Sequence, residues 1–446
     1  MSVFPEGFKE HLSPLHHLNF DAFSDVHGTK APISVRLHPL KGKNLFQELP
    51  KVPWADAGRY LASRPDFTLD PKFHAGAYYV QEAASMSLET VLEQLVNTEN
   101  EPCILDLCAA PGGKSTLIAS FLNGKGTLLC NEVIKTRAGI LKENLDRWGY
   151  ANVLVSNNDP KQFSRLNSRF DVIVIDAPCS GSGMFRKDPS TMSHWSEEAV
   201  EHCVMRQIRI VNDVWPALKP DGILIYSTCS YSFQEDEGII ESLISDGKAE
   251  LVAVDKLSAE DSIIKTELGY RFYPHLSKSE GLFISVVRKT KGDLENLHPP
   301  IKSRLLQIDI ASLIAQPSSF SQHKNHLGEN LVSNDLLNHL YAFEKHLHLL
   351  KTGVLSGELK GNKFIPNHEL AMFTGLNPEI QSIELDLETA LRFLKKEALP
   401  NNYGLTGLTL IKYLGLPIGW GNALPNRINN GLPKSWRIRK ELPSEV

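Results

Sequence analysis

Apolar positions along this chain change period several times, and the changes mark out its elements. Met86, Leu88, Val91, Leu92 and Leu95 recur at helical spacing. From there short apolar runs alternate with amphipathic stretches. Cys103–Ala109 predicts a strand, and the residues from Gly113 a helix. Thr127–Asn131 predicts a second strand, followed by a helix over Lys135–Trp148 with Ile140, Leu141, Leu145 and Trp148 on one face. Further strands are predicted at Asn152–Ser156 and Asp171–Asp176. Val200, Val204, Ile208, Val211, Trp215 and Leu218 step by three and four, a long helix whose end is marked by Pro216 and Pro220, before the strand Ile223–Ser227. Such alternation builds a parallel sheet with helices on both faces. Runs at Leu251–Val254, Tyr270–Tyr273 and Leu282–Val287 would complete it.

The flanks are less regular. Residues 1–75 carry many Pro, Gly and His and little periodicity, and Lys289–Pro300 is charged and ends in a double proline, as a linker does. Gln381–Lys396 predicts a strand leading into a helix, and Gly-punctuated strands follow, Leu410–Leu416 being the clearest. The expected division is an N-terminal unit at 1–75, an α/β domain at 76–290, a connecting region at 291–375 and a small β-rich domain at 376–446.

Composition narrows the class. The longest apolar runs are strand-sized, whereas a bilayer span needs about 20 residues, so no membrane partner is expected. Met1 to Pro14 lacks the basic-then-apolar order of a signal peptide. The six cysteines form no CxxC pair, which argues against a disulfide scaffold, a structural zinc site or any metal. A soluble, monomeric protein of a reducing cytoplasm is expected. The net charge of −5 argues mildly against nucleic acid. From Asn401 onward, however, six basic residues face two acidic ones, a tail able to meet phosphates or simply to be solvated.

Ligands of open α/β sheets bind outside the carboxyl ends of the strands, and four such ends carry unusual residues. The first runs through Cys108, Ala109, Ala110, Pro111, Gly112, Gly113 and Lys114, where glycines admit a ligand close to the backbone and a helix N-terminus offers free N–H groups. It matches neither a phosphate loop nor a dinucleotide fingerprint. The second end is Glu132, placed to accept ribose hydroxyls, with Asp159 after the next strand a weaker candidate or a turn residue before Pro160. The third is Asp176-Ala-Pro-Cys179-Ser-Gly181-Ser-Gly183, and the fourth Ser227-Thr-Cys229-Ser230. Both thiols follow a strand instead of lying in it, unlike a small buried hydrophobe. On spacing alone, either cysteine could be a nucleophile.

The combination Asp106–Thr116, Asp176–Pro189 and Tyr226–Tyr231, with Glu235-Asp-Glu237 and Gly76–Glu82, resembles the Nol–Nop–Sun family of RNA 5-methylcytosine methyltransferases. The resemblance covers about residues 30–290. Looser matches at Lys363–His368, Gly415–Gly419 and Leu432–Arg437 resemble a bacterial subgroup acting on small-subunit ribosomal RNA, whose extension ends in a PUA-like RNA-binding module. Arg36-Leu-His-Pro39 departs from the usual Arg-Val-Asn-Pro, and Asn429-Asn-Gly431 from a common Lys-Asn pair.

The resemblance implies a Rossmann-like fold and S-adenosyl-L-methionine as methyl donor, held by Cys108 to Lys114, Glu132, Asp159 and Asp176. It implies that Cys229 adds to cytosine C6, making C5 nucleophilic, and that Cys179 serves release. Asp176 would contact the pyrimidine edge and, if it donates to N3, would need burial to stay protonated. Lys114 would reach the base carbonyl or the substrate backbone, and Arg186 and Lys187 are candidate phosphate contacts. The target base must be unpaired or flipped. Ribosomal RNA or the small ribosomal subunit is the expected partner, with transfer RNA the alternative substrate. A non-catalytic assembly factor would show loss of a cysteine or of Gly112-Gly113, and none is lost. The missing fingerprint and the loop thiols disfavour a dinucleotide-dependent oxidoreductase.

Overall fold

The computed structural model describes residues 4–292, 308–361 and 363–442. Five parallel strands form its centre, in the spatial order Leu218–Thr228, Phe170–Asp176, Cys103–Asp106, Thr127–Asn131 and Val153–Ser156. Cys103–Asp106, Thr127–Asn131 and Val153–Ser156 are buried at every position, as befits strands covered on both faces. Antiparallel strands extend the sheet on both sides. Leu282–Lys289, Tyr270–Phe272 and Ile263–Lys265 add to one edge and Leu349–Thr352 to the other. The strand order reverses between Cys103–Asp106 and Phe170–Asp176. A crevice opens at such a switch point, and both strands deliver an aspartate to it.

The helices largely follow the apolar pattern, with two displacements. In Lys135–Trp148 the buried stripe is Ala138, Leu141, Leu145 and Trp148, while Ile140 is 53% exposed. Ile140 lies a helical step of about 100° from Leu141, outside the 3–4–3 stripe. In Glu197–Val214, capped by Ser196 Oγ accepting from Ala199 N, Ile208 is likewise exposed and Gln207 takes the buried place. Lys289 ends a strand and is buried, its Nζ donating to the carbonyls of Trp215 and Leu218. It therefore does not begin a linker, and residues 293–300 lie outside the described residues.

The N-terminal sheet pairs Lys51–Val52, Ala55–Leu61, Ile33–Leu37 and Tyr78–Val80, so it runs past residue 75. Arg36 is fully buried and crosses to the central domain, donating to Gln81 Oε1 at 2.7 Å and to Thr116 Oγ1 at 2.6 Å. His38 accepts from the N–H groups of Leu40 and Lys41 through Nδ1 and bonds the Trp148 carbonyl through Nε2. A turn-capping acceptor is what an asparagine would supply there. Burial holds this imidazole well below its ordinary pKa.

Residues 291–375, expected as a connection, contain a four-stranded sheet of Phe320–Asn325, Gly328–Ser333, Val354–Lys360 and Lys363–Pro366. Four buried or half-buried charges tie this region to the central domain. Lys142 and Lys351 each meet both Asp146 and Glu369, at 2.6–3.0 Å. Beyond it, Ser382–Glu384, Gly407–Tyr413, Leu416–Leu424, Arg427–Asn430 and Leu399–Pro400 make a five-stranded sheet around the helix Leu387–Leu394. Trp420 Nε1 donates to Asn367 O at 3.0 Å, seating that sheet on the helix His368–Met372. Among the described residues no helix is long and apolar enough to cross a membrane.

Candidate active site

The strand Cys103–Asp106 ends on a buried carboxyl. Asp106 Oδ2 accepts from Ser115 Oγ at 2.6 Å, whereas Oδ1 is buried without a partner. Burial pushes this carboxyl up to about 7. The chain then turns through Gly112, at φ +112°, where a side chain would be strained. The helix Gly113–Leu122 begins without a side-chain cap, leaving first-turn N–H groups for a ligand.

A cleft of about 180 Å³ lies here, lined by Asp106, Cys108 to Pro111, Gly113, Lys114 and Asp176 on one side and by Tyr79 to Glu82 and Ser85 on the other. The chain thus brings seven of the expected cofactor residues together. Glu132 closes the neighbouring strand, nearly buried, accepting from Ile134 N at 2.9 Å with Arg137 3.4 Å away. Asp159 caps the short helix Pro160–Arg165 in a reciprocal arrangement with Gln162, and Arg209 lies 3.5 Å from it. The unpartnered Asp106 oxygen, the open glycine turn and the carboxylates Glu132 and Asp176 fit a ligand that carries cationic centres and hydroxyls, as S-adenosylmethionine does. Among the described residues no group of three or more His, Cys, Asp or Glu is arranged to hold a metal ion.

Asp176 differs from its expectation. Its side chain is 40% exposed, and Lys114 Nζ lies 2.7 Å from Oδ1. Ser227 Oγ donates to the same oxygen at 2.9 Å. The burial expected of it is absent, because the strand end faces the open crevice. Arg186 also departs. Its side chain is 7% exposed, 3.4 Å from Glu280, and it donates to the carbonyl of Lys30 at 2.8 Å. It therefore braces the loop against the N-terminal unit, while Lys187 is exposed.

The two thiols meet. Cys179 Sγ and Cys229 Sγ are 3.2 Å apart, each half-buried just past the end of a neighbouring strand. The hydrogen bond with Cys229 and then burial hold the Cys179 thiol well above its ordinary pKa. Close packing of the two loops requires Gly183. Its N–H donates to Cys229 O at 2.6 Å, and a Cβ there would stand 2.4 Å from that oxygen. Ser182 Oγ accepts from Tyr231 N at 2.9 Å.

Beneath the loops lie the three acids after Cys229. Glu235 bonds to Ser180 and Ser230. Asp236 accepts from Thr228 Oγ1 at 2.5 Å and pairs with Arg271 at 3.0 Å, and Glu237 also pairs with Arg271. Asp106, Tyr79, Gln81 and Ser85 join the cleft although the motifs do not nominate them as site residues. A signal for three of them stands in the sequence, since Asp106 opens the first motif and Tyr79 and Gln81 lie within Gly76–Glu82.

The family description 16S rRNA methyltransferase RsmB/F matches residues 93–288. The N-terminal domain of 16S rRNA methyltransferase RsmF matches residues 4–83, and the methyltransferase RsmF PUA domain matches 380–438. Ribosomal RNA small subunit methyltransferase F of Vibrio atlanticus is 30% identical, over 96% of this chain and 97% of that one. The protein of the same name from Aliivibrio salmonicida is 31% identical over 94% of each. Among solved structures, a methyltransferase homologue from Pyrococcus horikoshii superposes with a TM-score of 0.50 at 28% identity, covering 60% of this chain and 90% of that one. NSun6 from the same organism, solved with SFG, gives 0.54 at 21% identity, covering 65% and 100%, which speaks for the fold.

Proposed function

This chain belongs to the ribosomal RNA small subunit methyltransferase F family, and from that premise we propose that it methylates cytosine C5 in 16S ribosomal RNA through a covalent adduct with Cys229. The observation that carries the proposal is the pair of thiols 3.2 Å apart, one of them three residues past Asp176, which lines the cleft.

Cytosine C5 is too weak a nucleophile to be methylated unaided. The Cys229 thiolate forms a bond to C6, and the C5–C6 π pair moves to C5. Bound S-adenosylmethionine supplies the methyl group to C5 from its sulfonium. The C5 proton then leaves to solvent, its electron pair re-forms the double bond, and the S–C6 bond breaks. Cys179, held protonated beside Cys229, donates its S–H to the sulfur that leaves. Asp176, ion-paired with Lys114, accepts from the base's N4 amine, and Lys114 donates to its ring acceptors. Residues Cys108 to Lys114, with Asp106, Glu132 and Asp159, would hold the cofactor. The N-terminal unit and the C-terminal module hold RNA around an unstacked base.

The test offers 16S ribosomal RNA, assembled small subunits and transfer RNA with methyl-labelled S-adenosylmethionine, then identifies the modified nucleoside by mass spectrometry. The proposal expects 5-methylcytosine in ribosomal RNA and none from Cys229→Ala. Label on another atom, or in transfer RNA alone, contradicts it.

A further inference from the structure

We infer that Glu235 is a positioning residue that holds Cys179 and Cys229 in register and thereby governs release of the covalent adduct. The inference rests on the covalent reading above and deepens it. Glu235 is fully buried, and its carboxylate reaches the residue that follows each cysteine. Oε2 accepts from Ser180 Oγ at 2.6 Å and from Ser230 Oγ at 2.5 Å. Oε1 accepts from the Ser180 backbone N–H at 2.7 Å. Gln207 Nε2 lies 3.4 Å from Oε1 and also donates to Pro178 O at 3.0 Å, so the helix Glu197–Val214 braces the same loop from behind. One side chain thus gathers both thiol-bearing loops.

Its neighbours act on the Cys229 side, through Thr228. Asp236 and Glu237 pair with Arg271, a cation bonded to the scaffold. Glu235 makes no ion pair among the described residues, and its hydrogen-bond donors there are neutral. Burying a carboxylate without a counter-ion is unfavourable unless donors satisfy it closely. Oε2 takes two hydroxyls from two loops at once, and that is a task for an acceptor without hydrogens.

The geometry bears on chemistry because the two sulfurs act in sequence. Cys229 bonds to C6, and Cys179 must lie beside that sulfur when the S–C6 bond breaks. A displacement of 1 Å between groups acting together costs roughly 100-fold in rate. Loss of the clamp therefore leaves addition by Cys229 possible and slows release.

The full-length protein is tested as Glu235→Gln and Glu235→Asp. Gln keeps the volume but replaces one acceptor with an NH₂ group that cannot take a hydroxyl hydrogen, whereas Asp keeps the charge with a shorter reach. S-adenosylmethionine affinity and the thermal midpoint establish that each variant is folded. Two readouts follow. Diamide removes one hydrogen from each thiol and closes a Cys179–Cys229 disulfide, without RNA or methyl transfer. Denaturing gels report the protein–RNA adduct.

The inference expects slower disulfide closure in Glu235→Gln, kcat down by roughly 100-fold with KM nearly unchanged, and an adduct that persists although Cys179 is present. Glu235→Asp should recover part of each. A folded Glu235→Gln with disulfide closure at the unmutated rate and no persisting adduct overturns it. Slower closure together with no adduct from the Cys179→Ala control overturns the covalent reading and the release role with it.

Discussion

Two clusters of buried charge stand in this protein, alike in chemistry and unlike in consequence. Under the thiol loops, Arg271 meets Asp236 and Glu237, and Asp236 accepts from Thr228, the residue before Cys229. At the other side of the sheet, Lys142 and Lys351 meet Asp146 and Glu369. Each cluster offsets the cost of burial by pairing opposite charges. The first is wired to the backbone that carries Cys229. The second joins the helix Lys135–Trp148 to the helix His368–Met372, on which the C-terminal sheet sits. Perturbed, buried ionisable groups are often taken as marks of a functional site. Here the informative feature is what the charges hold in place. One cluster aims a thiol and the other sets the C-terminal module against the catalytic domain.

Breaking each cluster separates these roles. Arg271→Met leaves two acids buried without their cation, and the expected loss is about 3–5 kcal/mol of unfolding free energy. Methyl transfer should fall further than the folded fraction does, because the Thr228–Cys229 backbone loses its anchor. Denaturant unfolding compared with activity per folded molecule checks this. Lys351→Met removes one of two cations, so a loss of about 3 kcal/mol is expected. Its kcat should be unchanged per folded molecule and its KM for RNA raised, since the module it helps to place shifts. Equal effects of both variants on kcat would erase the distinction.

A smaller effect sharpens the second half of the comparison. Lys434, Arg437 and Arg439 are exposed on the C-terminal module. Reversing their charges should weaken RNA binding and lower the slope of its salt dependence by roughly 0.7–0.9 for each phosphate no longer neutralised, with adduct chemistry intact. Unchanged binding would remove the tail from the RNA surface.

A pH-dependent effect concerns Asp106, buried at the end of its strand with one carboxyl oxygen unpartnered among the described residues. Its carboxyl is pushed up to about 7, whereas an unfolded aspartate titrates near about 4. Between those values the folded state keeps a proton that the unfolded state has lost. Stability from this group is therefore full below about pH 4 and fades as pH rises toward about 7. Asp106→Asn should flatten that slope, which for one group is at most about 1.4 kcal/mol per pH unit. Unfolding curves at a series of pH values measure it.

Local pattern was legible where one face or one strand decided burial. Thr127–Asn131 and Lys135–Trp148 stand where the apolar spacing puts them. Pairing between distant segments was not legible. Nothing local in Leu349–Thr352 says that it adds to the edge strand Val153–Ser156. The sheet over residues 320–366 has short, half-exposed strands that carry little periodicity. At the site, the loops and both cysteines could be picked out because glycine, proline and thiol are rare together at a strand end. The Lys114–Asp176 pair, the bracing of Arg186 by Glu280 and the reach of Glu235 to Ser180 arise between residues 55 to 94 positions apart, or on different strands. Only the folded chain brings them within bonding distance.

The central claim is that Cys229 attacks and Cys179 releases. Its most direct measurement incubates Cys179→Ala and Cys229→Ala with S-adenosylmethionine and small-subunit RNA, then resolves the products on a denaturing gel. Attack by Cys229 and release by Cys179 predict a covalent RNA adduct that persists in Cys179→Ala and never forms in Cys229→Ala. An adduct trapped by Cys229→Ala and absent from Cys179→Ala would contradict it.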